Sequence, residues 1–143
     1  MKAILDEMLA ALSRGERVVL CSILASSGSV PRGAGAKMAV FEDGRVLGTI
    51  GGGAVTVYFQ FFAPEQAADI AVLKRWREML DRDVDLWLLL SLDGDGVNEF
   101  HVVTREEIPQ DKADYFSAKA VWKNGIYVEP LCHAGSVLSL IHI

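Results

Sequence analysis

Twice in this chain two apolar runs are separated by only three or four residues that include Asp-Gly. "KMAVF" (37–41) meets "RVLGTI" (45–50) across "EDG", and "VDLWLLLSL" (84–92) meets "VNEFHVVT" (97–104) across "DGDG". A connection that short joins antiparallel strands, because a parallel pair needs a crossover of about a dozen residues or more. The chain is therefore not a simple alternation of strand and helix. "RVVLCSILA" (17–25) is β-branched and continuously apolar, as a strand buried on both faces would be, and "AVTVYFQFF" (54–62) also reads as a strand. Ile4, Leu5, Met8, Leu9 and Leu12 fall at helical spacing, with Gly15 as a stop. A second helix is predicted in "APEQAADIAVLKRWREMLD" (63–81), with Pro64 near its start and Ile70, Leu73, Arg77 and Leu80 along one side. From 105 to 125 the sequence predicts an irregular link, a short helix and a turn at Asn124-Gly125 before the strand "IYVEPL" (126–131). Helices mingled with hairpins give an α+β fold: a mixed, largely antiparallel sheet with hairpins, packed by two or three helices.

The 143 residues suit one ordinary core, and 51% hydrophobic content makes the chain slightly apolar without any disordered tract. A net charge of −5 with interspersed signs argues against nucleic-acid binding. Asp6 and Glu7 interrupt the N-terminal apolar stretch and no run of 18 apolar residues occurs, so neither a signal peptide nor a membrane span is expected, and a cytoplasmic location is. Cys21 and Cys132 form no CxxC, and Cys21 reads as a free buried thiol. Trp76, Trp87 and Trp122 read as core or interface aromatics.

Chemistry is concentrated in two glycine-rich stretches, "SSGSVPRGAGAKM" (26–38) and "IGGGAV" (50–55). In the first, Gly28, Gly33 and Gly35 permit positive φ and close backbone approach, Pro31 fixes its own backbone, and Ser29, Arg32 and Lys37 add a hydroxyl and two cations. Such a turn can form an anion nest suited to a phosphate or another oxyanion. It can equally be a structural turn, since it matches neither a Walker A loop nor GxGxxG. Gly51, Gly52 and Gly53 imply a need for bare backbone, with a bulge or strand corner as the rival reading. Asp93 and Asp95 lack the later ligands of a calcium loop, His101, His133 and His142 lack metal-ligand spacing, and no GxSxG occurs.

In order and spacing, Gly28-Ser29, Pro31-Arg32, Gly35-Ala36-Lys37-Met38 and Ile50-Gly51-Gly52-Gly53 resemble the N-terminal domain of the XdhC/CoxI family, the xanthine dehydrogenase accessory factors. The resemblance implies a non-enzymatic molybdenum cofactor (molybdopterin) chaperone that holds the cofactor, supports its sulfuration and delivers it to an apo molybdenum hydroxylase of the xanthine dehydrogenase type. A cysteine desulfurase is an implied second partner. The implied cofactor-binding residues are Gly28, Ser29, Arg32, Gly33, Gly35, Lys37, Gly51, Gly52 and Gly53; no catalytic or metal-ligating residue is implied.

Two departures accompany the resemblance. Where family members place two residues, often beginning with cysteine, and then a glutamate after the triple glycine, this chain has Ala54, Val55 and Thr56. The sequence then continues like the strand that follows a second glycine motif in the family. This implies a domain over 1–130 shortened near 53–55, and a truncated start of a Rossmann-like domain over 131–143. The shortening predicts that "RVLGTI" and "VTVYFQFF" follow one another as a bent strand or a tight hairpin. The apolar end "SVLSLIHI" (136–143) predicts association, including homodimerisation. The rival readings are a small phosphate- or nucleotide-binding enzyme and an inactive truncated member of the family.

Overall fold

The computed structural model describes residues 1–24, 35–50, 56–94 and 96–135. In chain order these form α1 (Lys2–Ser13), β1 (Val18–Ile23), β2 (Lys37–Phe41), β3 (Val46–Gly48), β4 (Val57–Phe62), α2 (Ala67–Met79), β5 (Leu86–Asp93), β6 (Gly96–Thr104), β7 (Val121–Lys123) and β8 (Ile126–Cys132). Two short 3₁₀ segments, Arg105–Glu107 and Gln110–Tyr115, fill the irregular link. The α+β architecture is as expected, and its strands divide into two four-stranded antiparallel sheets, ordered β3-β2-β1-β4 and β6-β5-β8-β7. The chain forms two compact units, Met1–Lys74 and Arg75–Ile143, with the division inside α2.

In the first unit β1 is central. Its alternate residues Val18, Leu20 and Ser22 face the same side as Phe41, Ala39 and Lys37 of β2, and all six are buried. The amphipathic α1 buries Leu5, Met8, Ala11 and Leu12 and packs on β1 and β2 from that side. Its position there is marked by Glu7, whose carboxylate accepts from Arg45 at 3.1 Å while the Arg45 guanidinium lies 4.7 Å above the Phe41 ring. The expected Asp43-Gly44 turn joins β2 to β3: Gly44 has φ +89°, Asp43 accepts the Arg45 N–H at 2.9 Å, and the Phe41 N–H donates to the Arg45 carbonyl.

β3 and β4 do not form the expected bent strand or hairpin. They occupy opposite edges of the sheet, and β4 pairs with β1 from Val18↔Phe62 to Ile23↔Val57. A hairpin would have left one side of β1, the most apolar strand of the unit, without a hydrogen-bonded neighbour. Crossing three strand spacings requires only about 14 Å, well within the reach of the chain between Gly48 and Val57.

In the second unit β5 and β6 form the hairpin predicted across "DGDG", with a register shift at Ser91/Leu92. Asn124, with φ +54°, and Gly125, with φ +75°, make the predicted turn between β7 and β8. One face of this sheet buries Trp87, Leu89, Val103 and Val128 beneath Tyr115, with Ile108 and Phe116 packed alongside. Trp87 meets Phe116 edge-on at 5.8 Å and donates its indole N–H to the Ser117 carbonyl at 2.9 Å, so the irregular link is tied to the sheet by both packing and a hydrogen bond. Trp76 is also buried, whereas Trp122 on the edge strand is 40% exposed. The segment expected to begin a further domain, 131–143, lies mostly beyond Gly135, outside the described residues.

Candidate functional site

Both glycine-rich stretches leave from, and return to, the same end of the first sheet. The described chain departs after Leu24 at the end of β1 and resumes at Gly35 just before β2; it departs again after Ile50 beyond β3 and resumes at Thr56 before β4. Antiparallel pairing dictates this, because the two outgoing strands end where the two incoming ones begin. Three backbone hydrogen bonds close this end: Gly35 N–H to Ile23 O at 2.9 Å, Ile23 N–H to Ala36 O at 3.0 Å, and Leu24 N–H to Thr56 O at 3.0 Å. The anchors of the two stretches are thus held side by side whatever the connections contain.

Of the residues implied for ligand binding, Gly35 and Lys37 are described. Gly28, Ser29, Arg32, Gly33, Gly51, Gly52 and Gly53 lie outside the described residues. Gly35 has φ +88°, the left-handed conformation that favours glycine. Lys37 is the first residue of β2 and is only 7% exposed. Its Nζ donates to the Ser22 hydroxyl at 3.4 Å, across the register pair Ser22↔Lys37. Ser22 is paired on its other side with Tyr58 of β4, so lysine, serine and tyrosine form one row across three strands beside the anchors.

Ser22 and Tyr58 escaped the sequence reading because each sits inside an apolar strand run, where a lone polar residue carries no motif. Gly48 also escaped it, although an isolated glycine in a short strand is a recognised sign of close backbone approach. It has φ +83°, and a Cβ there would run into the Lys37 carbonyl oxygen and come within 2.9 Å of Ile4 Cδ1. Gly48 therefore lets β3, the start of β2 and α1 close together at the edge of the site. Elsewhere, His101 is an exposed residue of β6, and among the described residues no cluster of potential metal ligands occurs.

In this α+β protein a buried ammonium thus lies beside a hydroxyl at the sheet end that receives the two glycine-rich connections. The XdhC and CoxI family model matches residues 11–57, running from the end of α1 through β1, β2 and β3 to the first residue of β4. Over that segment, about a third of its length, the chain is similar to the XdhC and CoxI family. A solved structure from Bacillus halodurans, described as a xanthine dehydrogenase, shares the fold with a TM-score of 0.63 at 16% identity, and the match covers 92% of this chain and 52% of that one. The chain thus spans about half the length of that protein. No curated protein matches it. Among the described residues no helix is long and apolar enough to cross a membrane.

Proposed function

We propose that this chain is an accessory protein of molybdenum hydroxylase maturation, holding the molybdenum cofactor at the glycine-rich end of its first sheet for delivery to an apo enzyme of the xanthine dehydrogenase type. The observation that carries the reading is the convergence of both glycine-rich connections on one sheet end, beside the Lys37–Ser22 pair, within the segment that matches the family. The residues present fit such a group. The cofactor has a terminal phosphate and oxo or sulfido groups at the metal, and this end supplies a cation and a hydroxyl from the strands, with Arg32 and Ser29 in the connecting stretch. The cofactor brings the metal chemistry that the recipient enzyme uses; the chain's own residues bind it, orient it and shield it from water. A cysteine desulfurase would be the sulfur source in the same scheme.

The test is a titration of isolated molybdenum cofactor against the wild-type chain, Arg32→Ala and the double variant Arg32→Ala/Lys37→Ala. Retention by the wild type, weakened in the single variant and abolished in the double, is expected. Equal and negligible retention by all three, each with a wild-type circular dichroism spectrum, removes the binding role.

A further inference from the structure

Among the described residues β6 is an outer strand of the second sheet, and at nine residues it offers a long template for a further strand. The opposite outer strand, β7, is three residues long and ends on Lys123, features that by themselves discourage pairing. β6 contains neither proline nor lysine, and its second half is largely apolar, with Phe100, Val102 and Val103. Its protection comes from side chains outside the strand. Arg75 of α2 donates through Nη1 to the Val102 carbonyl at 3.0 Å, and Glu107 of the first 3₁₀ segment accepts the Thr104 N–H through Oε1 at 2.9 Å. Arg75 Nη2 donates to the same Oε1 at 2.5 Å and ties the two side chains together. Val102 and Thr104 are two residues apart, so both groups lie on one edge of the strand, the edge turned away from β5.

We infer that the Arg75–Glu107 pair is a cap that keeps β6 from taking up an added strand. An antiparallel neighbour would donate an N–H to the Val102 carbonyl and accept the Thr104 N–H through a carbonyl, and the guanidinium and the carboxylate do both. As an ion pair alone the arrangement has little value, since the two side chains are 36% and 45% exposed and water screens such pairs. Its distinguishing feature is the assignment of the charges. The donor stands on the carbonyl and the acceptor on the N–H, so exchanging the two residues would keep an ion pair while setting each against a backbone group of its own polarity. Nearer Gly96, Glu99 and His101 are exposed and 3.5 Å apart, and they place polar groups along the rest of the strand. The segment kept out is an extended apolar one, of which β6 itself is the nearest example. The cap lies in the second unit and does not depend on the proposed cofactor end.

Binding of a fluorescently labelled peptide with the sequence of residues 96–104 to the full chain, read by anisotropy with circular dichroism to verify folding, tests this. The double variant Arg75→Met/Glu107→Met keeps both aliphatic stems and is expected to bind the peptide at least about tenfold more tightly than the wild type. The exchanged variant Arg75→Glu/Glu107→Arg is expected to match the double variant. Val103→Ala, which removes buried side-chain volume and leaves both capping residues in place, is expected to match the wild type. Equal binding by the wild type and the double variant, whether tight or absent, overturns the proposal. So does an exchanged variant that behaves as the wild type, which would make the ion pair itself the relevant contact, or a Val103→Ala chain that binds as tightly as the double variant, which would make lost stability the cause.

Discussion

The Lys37 ammonium lies 3.4 Å from the Ser22 hydroxyl, on facing residues of adjacent strands, and both residues are almost wholly buried. A buried charge needs polar company, because transferring it away from water without hydrogen bonds costs several kcal/mol. Ser22→Ala removes one acceptor from that ammonium, and the expected loss is about 1.5 kcal/mol, the low end for a bond to a charged group given the length of this one. Urea denaturation of the two chains measures it; an unchanged midpoint would show that the hydroxyl contributes nothing.

Gly48 and Gly44 separate the cost of backbone conformation from the cost of crowding. Both have positive φ, +83° and +89°, but a Cβ at Gly44 meets nothing within 4 Å, whereas one at Gly48 meets the Lys37 carbonyl and Ile4. Gly44→Ala is expected to cost about 1 kcal/mol, the price of a left-handed alanine. Gly48→Ala should cost clearly more, since the obstructing atom is backbone and cannot swing aside. Equal melting temperatures for the two variants would contradict the close approach at the edge of the site.

Acid should loosen the second unit through Glu107. Its Oε1 accepts from Arg75 at 2.5 Å, from the Thr104 N–H at 2.9 Å and from the Thr104 hydroxyl at 2.7 Å, and these contacts, the Arg75 guanidinium first, hold its pKa at about 2 against an ordinary 4.5. A carboxyl whose folded pKa is depressed adds stability that is complete above its unfolded pKa and is lost as pH falls through the folded one. The loss therefore runs from about 4.5 down to about 2. Glu107→Gln should lower the melting temperature near neutrality and show a flatter decline across that window. A decline as steep as that of the wild type would assign the acid sensitivity to other carboxyls.

The two thiols should react at different rates. Cys21 is 2% exposed and burial raises its pKa, whereas Cys132 is partly exposed. Thiolate is the reactive form, so the native chain is expected to release one equivalent of thionitrobenzoate quickly and the second only on unfolding. Two equivalents released at once from the folded protein would mean that the central strand opens.

Local patterns carried much of this fold into the sequence. α1 runs over the stretch marked by Ile4, Leu5, Met8, Leu9 and Leu12, and both Asp-Gly turns join the strands they were expected to join. Pairing between distant strands was not legible. Nothing local states that β1 takes β4 rather than leaving it to β3, because that choice is made by burial of both sides of β1. The same limit hid the division into two sheets. At the candidate site, the glycines and Lys37 were readable as motif, but the burial of Lys37 was not, since a lysine opening a strand ordinarily reaches into solvent.

On the proposed function, the cofactor is held at the glycine-rich end of the first sheet. The most direct measurement is the backbone amide spectrum of isotopically labelled protein during titration with isolated molybdenum cofactor. Saturable shifts concentrated at Leu24, Gly35, Lys37, Ile50 and Thr56, with Arg17, Phe41, Phe61 and Glu65 at the far end unmoved, are the predicted result. Shifts confined to that far end, or none at any cofactor concentration, would contradict it.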